Sequence, residues 1–339
     1  MAKPTLGIQA PKAPPKNGRI VVLGTGGTIA GVSRQRGDNV GYDAAQLGVD
    51  ALLKGLGVDV RGLVSEQVAQ VNSKDMTHAI WTRLAQRCAH WLGQPDVQGV
   101  VITHGTDTLE ETAWFLQSVL APRKPVVLTC AMRPATAASP DGPQNLLDAL
   151  AVARTPGALG VVMVASGTVH GARDVQKVHP YRVDAFSSGE AGALGCMREG
   201  AVALSRDWPS IRGTSPWSFW TRRLATGGDW PWVEIVTSHA GADPRQISAL
   251  VAAGVQGLVV AGSGNGSVHE AWLAPLAAAR KQGVRVWRGT RCRDGQVVVG
   301  AKAAKSDAWD LTTDLSPVKA RVSLLLELLR NSRPAARGR

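Results

Sequence analysis

The chain has 339 residues, room for one large domain or two average ones, and its 44% hydrophobic and 19% charged residues suit a folded core rather than a disordered chain. No apolar run approaches the roughly 18–20 residues that span a bilayer, and four cysteines without C-x-x-C spacing exclude a disulfide scaffold and argue against a structural zinc site. The formal charge of +12, from 38 Lys and Arg against 26 Asp and Glu, invites one functional reading, an acidic partner such as nucleic acid.

Residues 1–18 hold four prolines and three lysines and lack the apolar core of a secretory signal. They read as a disordered arm, and a cytoplasmic location follows by default. The first strand is Arg19 to Leu23, a continuous apolar run of the kind buried on both faces. A second is Val97 to Thr103. A helix from Thr108 to Leu120 should follow it, with Asp107 or Thr108 as N-cap and Glu110 and Glu111 in its first turn. Then come a strand over Pro125–Thr129, a helix near Pro143–Ala153 and a strand over Leu159–Ala165. Alternation of this kind predicts a parallel sheet covered by helices on both faces.

The rhythm stops in a stretch rich in Pro, Gly, Ser and Trp, read as an interdomain linker over 206–229. It then restarts with strands at Trp232–Thr237, Leu258–Ala261 and Val284–Trp287, and helices at Pro244–Ala253, Val268–Lys281 and Pro317–Leu329. The expected fold is therefore two α/β domains with mostly parallel sheets. The larger N-terminal domain covers 19–205 and a smaller C-terminal, flavodoxin-like domain covers 230–339.

In open α/β sheets ligands bind beyond the carboxyl ends of the strands. Two such ends carry hydroxyls: Gly24-Thr25-Gly26-Gly27-Thr28 after the first strand, and Thr103-His104-Gly105-Thr106-Asp107-Thr108 after the second. The first lacks the G-x-G-x-x-G order of a dinucleotide site and the chain has no P-loop. Helix capping explains one polar residue of the second cluster, not five among six. A threonine hydroxyl becomes a nucleophile only when a neighbour takes its proton. Asp107 adjoins Thr106, and Lys177 could reach the same edge, although on the residues alone a solvated loop lysine is the stronger reading. His104 and His170 are candidate general bases by chemistry alone, and Tyr42 is otherwise an ordinary half-buried aromatic.

The stretches VVLGTGGTIAG (21–31) and GVVITHGTDTLEETAWFL (99–116) resemble the two signature segments of the bacterial-type L-asparaginase (asparaginase-glutaminase) family, its type II branch in particular. The resemblance continues through VNSKDMT (71–77), PVVLTCAMRP (125–134), DGPQN (141–145), GARDVQK (171–177) and AGSGNGSV (261–268). It implies hydrolysis of the side-chain amide of asparagine, and often of glutamine, through an acyl-enzyme, with no metal or organic cofactor. It implies that Thr28 is the nucleophile and Tyr42 its partner on a mobile loop, 32–42. Thr106, Asp107 and Lys177 match the family's Thr-Lys-Asp group. Ser73 matches the serine that grips the substrate α-carboxylate, Asp107 the carboxylate that holds its ammonium, and Asn265 an asparagine lent by a neighbouring subunit. Backbone N–H groups at the glycine turns of Gly27 and Gly105 would stabilise the oxyanion. His104 matches a motif histidine with a structural role. The resemblance further implies a homotetramer built from dimers.

The sequence departs from the family at Lys74, which stands where many members carry Gln or Glu beside the gripping serine. A cation there would weaken contact with the substrate ammonium or alter the choice between asparagine and glutamine. No residue matches the acidic group that the family's C-terminal domain directs at the tyrosine. Two other readings compete. A tRNA-dependent amidotransferase subunit shares these motifs, but normally carries an extra N-terminal domain for which 18 residues leave no room. A basic nucleic-acid-binding protein is suggested by the charge and the 11 Trp, yet no RNP-like pattern, zinc finger or long basic run accompanies them. The basic residues gather in the arm, the linker, the 285–293 segment and the tail, away from the hydroxyl-rich strand ends.

Overall fold

The computed structural model describes residues 18–35, 37–57, 61–209, 217–224, 230–300 and 308–332. The arm expected over 1–18 lies outside the described residues except for Gly18, as do 210–216 and 225–229 of the expected linker.

In chain order the N-terminal strands are β1 (Arg19–Gly26), β2 (Val32–Ser33), β3 (Tyr42–Asp43), β4 (Leu63–Val71), β5 (Val97–Thr103), β6 (Val126–Thr129), β7 (Val161–Ala165), β8 (Thr168–Gly171), β9 (Gln176–Lys177), β10 (Phe186–Ser187), β11 (Gly195–Arg198) and β12 (Ala201–Leu204). The helices among them are α1 (Val49–Gly55), α2 (His78–Leu92), α3 (Leu109–Leu120) and α4 (Gly142–Arg154). Eight strands form one sheet in the order β12-β11-β8-β7-β6-β5-β1-β4. The β4-β1-β5-β6-β7 portion is parallel, and β8, β11 and β12 extend it antiparallel.

Alternation across the pleat explains why β1 reads as an unbroken apolar run. Ile20 and Val22 pack on the face that α1 and α4 cover, while Val21 and Leu23 pack on the α2 and α3 face. Both faces are dry, so both sets must be apolar.

The C-terminal domain has strands β13 (Val233–Thr237), β14 (Gly257–Gly262), β15 (Arg285–Thr290) and β16 (Leu311–Thr312), parallel and adjacent in chain order. The flavodoxin-type order, with a reversal after the first two strands, belongs to the N-terminal sheet instead. Helices α6 (Arg245–Ala252) and α7 (Leu273–Lys281) cover one face of the small sheet and α8 (Pro317–Asn331) the other. The helix expected over 268–281 is split, with a 3-10 turn at Glu270–Trp272 ahead of α7.

The expected linker is more than a tether. It contains α5 (Trp217–Leu224), whose Trp220 and Leu224 are buried in the same core cluster as α2 and α3. Beyond it Trp230 stacks on His78 at 4.3 Å between ring centres. Of the tryptophans that made this segment look like a separate region, Trp220 is thus in the core, and Trp217 and Trp230 pack half-buried against it.

Helix α3 is clamped between the large sheet and α8. Leu109, Ala113, Phe115 and Leu116 share one apolar cluster with Val322, Leu324 and Leu325 of α8. The Trp114 indole N–H donates to Ser323 Oγ across the junction at 2.8 Å. The core is therefore continuous across the two domains, and α3, which begins where the 104–108 loop ends, lies in that junction.

Candidate active site

From β1 the chain moves to β4 on one side, then returns past β1 to β5 on the other. That reversal opens a crevice between the carboxyl ends of β1 and β5, the place where doubly wound sheets bind ligands. Gly24 lies opposite Thr103 in the β1–β5 register, so the loops that follow the two strands leave the sheet side by side.

Gly26 and Gly27 turn the first loop with φ of 99° and 84°, backbone conformations that residues with a Cβ rarely adopt. The turn is fixed by the Gly27 N–H, which donates to the Val71 carbonyl at 3.0 Å. That amide is therefore committed to the fold. A single 3-10 turn, Thr28–Ala30, then presents Thr28, which is only 8% exposed. Its hydroxyl meets the Tyr42 hydroxyl at 2.6 Å. Tyr42 reaches it from the antiparallel pair β2–β3, in which Ser33 lies opposite Tyr42. Gly31 makes room for the ring, since a Cβ there would lie 2.8 Å from Tyr42 Cδ2. The base of the 32–42 loop is tied down where the Ser33 N–H donates to Thr136 Oγ1 at 2.8 Å.

The second loop meets the first at its glycines. A Cβ on Gly27 would stand 2.3 Å from Gly105 Cα, so the two backbones touch, and Thr28 and Thr106 each follow directly. The Lys177 ammonium, on the short strand β9, donates to Thr106 Oγ1 at 2.8 Å and to Asp107 Oδ1 at 2.7 Å. The solvated-loop reading of Lys177 does not survive: its side chain is 17% exposed, against 49% for Asp107. Ser73 joins from the 3-10 turn after β4. Its Oγ accepts from the Asp107 N–H at 3.1 Å, which leaves its own hydrogen free. Thr108 is the N-cap residue of α3, as expected, but its hydroxyl makes no cap hydrogen bond and donates to the Ser73 carbonyl at 2.7 Å.

His104 is fully buried and its proton is placed by its partners. The Trp81 indole N–H donates to Thr112 Oγ1 at 2.8 Å, and Thr112 lies 3.0 Å from His104 Nε2. The Gly105 carbonyl, 2.7 Å from Nδ1, can only accept, so Nδ1 carries the hydrogen and Nε2 is the acceptor. Burial pushes the imidazole down to about 4. Both nitrogens are occupied, Nδ1 with the Gly105 carbonyl and Nε2 with the Thr112 hydroxyl on α3. His170, with Nδ1 2.9 Å from Ser188 Oγ, is likewise pushed to about 4 by burial.

Two family profiles cover this chain: "Asparaginase, N-terminal" over residues 19–210 and "Glutaminase/Asparaginase C-terminal domain" over 232–337. The chain belongs to the asparaginase family. It is 36% identical over 319 residues to L-asparaginase 2 of Bacillus subtilis, covering 93% of this chain and 84% of that one. It is 38% identical to the probable periplasmic L-asparaginase of Haemophilus influenzae, covering 93% and 90%. It is 36% identical to the glutaminase-asparaginase of Pseudomonas fluorescens, covering 92% and 87%. Among solved structures, a probable cytoplasmic L-asparaginase from Campylobacter jejuni superposes with a TM-score of 0.84 at 36% identity, covering 94% of this chain and 97% of that one.

Not every residue that the asparaginase resemblance points to converges within one chain. Lys74 turns its ammonium onto Asp75, 3.0 and 3.1 Å from the two oxygens, in an exposed pair. Asn265 lies in the C-terminal domain, where its side-chain amide exchanges two hydrogen bonds with the Val298 backbone at 2.9 and 2.7 Å. The motif DGPQN is a staple behind the site. Asp141 accepts from the Met132 and Arg133 N–H groups, and Asn145 bridges the Cys130 carbonyl and the Ser166 N–H. Among the described residues no cluster of His, Cys, Asp and Glu could hold a metal, and no helix is long and apolar enough to cross a membrane. The four cysteines are free.

Proposed function

We propose that this asparaginase-family protein hydrolyses L-asparagine to L-aspartate and ammonia through an acyl-enzyme on Thr28, with glutamine as a second substrate. The observation that carries this reading is the meeting of two activated hydroxyls on touching glycine turns: Thr28 against Tyr42 at 2.6 Å and Thr106 against Lys177 at 2.8 Å. Asp107, bound to Lys177 through Oδ1 and half exposed, offers negative charge to the substrate ammonium. The free hydrogen of Ser73 Oγ suits the α-carboxylate. Holding both ends of a short amino acid fixes where its amide lies.

Thr28 Oγ1 attacks the amide carbon, and its proton passes by way of the Tyr42 hydroxyl to the amide nitrogen. The carbon–nitrogen bond breaks and ammonia leaves, with the aspartyl group esterified to Thr28. Water, with Thr106 and Lys177 beside it, then attacks the ester carbon. One of its protons returns to Thr28 and aspartate departs. Loop 32–42, which carries Tyr42, serves as the lid over this chemistry. A homotetramer in which a neighbour's Asn265 completes each site belongs to this reading, as does a cytoplasmic location.

The test is ammonia release from asparagine, glutamine and D-asparagine by the wild type, Thr28→Ala and Thr106→Val, with folding followed by circular dichroism. Both variants should stay folded and lose turnover, and mass spectrometry of quenched wild type should find the ester on the Thr28 peptide. Full turnover by Thr28→Ala, or an ester on the Thr106 peptide, overturns the assignment of the nucleophile.

A further inference from the structure

Lys319, on the first turn of α8 in the C-terminal domain, is completely buried. Its ammonium crosses the domain junction and donates to the carbonyls of Arg173, at 2.8 Å, and Val175. These residues form the short loop that ends in Lys177. The same loop is tied to the C-terminal domain a second time by the ion pair of Arg173 Nη2 with Asp314 Oδ2 at 2.6 Å. On its other side Glu110, in the first turn of α3, accepts from the Lys177 N–H through Oε1 at 3.2 Å. The second oxygen of Glu110 is buried without a hydrogen-bond partner.

A buried cation is retained only where strong partners surround it. Lys319 has two carbonyls plus the charges of Glu110 and Asp174 nearby, set against Arg173. Burial raises the Glu110 carboxyl, and the Lys319 charge opposes that rise. Neither residue touches Thr28, Thr106 or Asp107 through a hydrogen bond, and no step of the proposed reaction uses either.

We propose that Lys319 and Glu110 are positioning residues which together fix the backbone of the 173–177 loop, so that docking of the C-terminal domain sets the Lys177 ammonium on Thr106 and Asp107. The inference rests on the catalytic reading of Lys177 given above. The domain that contributes no hydroxyl to the site within one chain thereby controls the lysine that activates Thr106. A lysine displaced by about 1 Å is expected to cost about 10²-fold in rate.

Steady-state kinetics with asparagine on the folded protein tests this, for Lys319→Met, Lys319→Gln, Glu110→Leu and Lys177→Met. Lys319→Met and Glu110→Leu should lower kcat by about 10–100-fold, with KM within threefold of wild type, because Asp107 and Ser73 still hold the substrate. Lys319→Gln, which retains a donor for the carbonyls, should recover part of the loss. A purely structural role would lower Tm but leave kcat per folded site unchanged. The proposal is overturned if folded Lys319→Met has kcat within twofold of wild type, or, where that variant does not fold, if folded Lys319→Gln and folded Glu110→Leu both have kcat within twofold of wild type. Full activity of Lys177→Met would instead remove the catalytic reading itself, and this inference with it.

Discussion

The contact between the two glycine turns can be broken with a single methyl group. In Gly105→Ala the new carbon would lie 2.5 Å from Ser73 Oγ, 2.8 Å from Ser73 Cβ and 3.1 Å from Gly27 Cα. Carbon contacts are favourable at about 3.5–4.0 Å, so about 1 Å of movement is needed. None of these atoms is the loose end of a long side chain. Ser73 is held through the Asp107 N–H and the Thr108 hydroxyl, and Gly27 through Val71. Overpacking of this kind costs about 1–3 kcal/mol, which lowers Tm by about 2–4 °C per kcal/mol in a domain of this size. The effect on turnover should be larger in kind. A shift of about 1 Å between reacting groups costs about 10²-fold, or about 2.7 kcal/mol of barrier. KM should rise as Ser73 leaves the Asp107 amide, and kcat should fall as Thr28 and Thr106 move apart. The assay is coupled ammonia release across asparagine concentrations, beside a thermal melt. Gly55→Ala is the control: it sits at the exposed end of α1 with nothing within 4 Å of the added carbon, and should keep both Tm and kcat/KM. If Gly105→Ala keeps kcat/KM within threefold of wild type, the touching turns are not part of the active site.

Two more outcomes follow from the hydrogen bonds and the buried histidines. Tyr42→Phe keeps the ring on Gly31 and removes only the hydroxyl at Thr28, so kcat should fall by about 10²–10⁴-fold with Tm unchanged; kcat within threefold of wild type would show that the hydroxyl moves no proton. His104 and His170 are held near 4, below the ordinary 6.5, by burial. Between these values the unfolded chain binds their protons and the folded chain does not. Stability that is complete above pH 6.5 is therefore lost as pH falls towards 4, by up to about 1.4 kcal/mol per pH unit for each histidine. Glu111, pushed up to about 7 by burial, has the opposite sign and offsets about one of them between pH 7 and 4.5. Urea midpoints measured from pH 7 to pH 4 should fall less steeply in His170→Gln than in wild type, and an imidazole nitrogen titration of His104 with a midpoint above 6 would contradict the burial argument.

The parts of the site that were legible in the sequence are those whose chemistry is local. A strand buried on both faces must be a continuous apolar run, so β1, β5, β6 and β7 announce themselves, and the glycine-hydroxyl clusters at the ends of β1 and β5 mark the crevice. Strand β4, LVSEQVAQV, gives no such signal. It is the edge of the sheet, mostly half-buried, and its polar residues face solvent or pair with helices, as Glu66 does with Arg87 and Trp91. The two- to four-residue strands from β8 to β12 are too short to carry a period. They nevertheless include Lys177.

The residues that could not be read locally are the charged ones whose environment is set by domain docking. Lys177 lies 71 positions from Thr106, and nothing in QKVHP distinguishes it from a solvated lysine until β9 is folded back on the α3 loop. Glu110 and Glu111 fit the first turn of α3 as partners of the helix dipole, which calls for exposed carboxylates. Both are largely buried with raised pKa values, because α8 lies over the face of α3 that would otherwise meet water. Lys319 reads as one polar residue in the amphipathic run PVKARVSLLLELL, yet it is wholly buried and grips two carbonyls of the other domain. Binary patterning assigns a charged residue to solvent by default. The exceptions here lie where the two domains close over one another, and two of them, Glu110 and Lys319, hold the loop that carries Lys177.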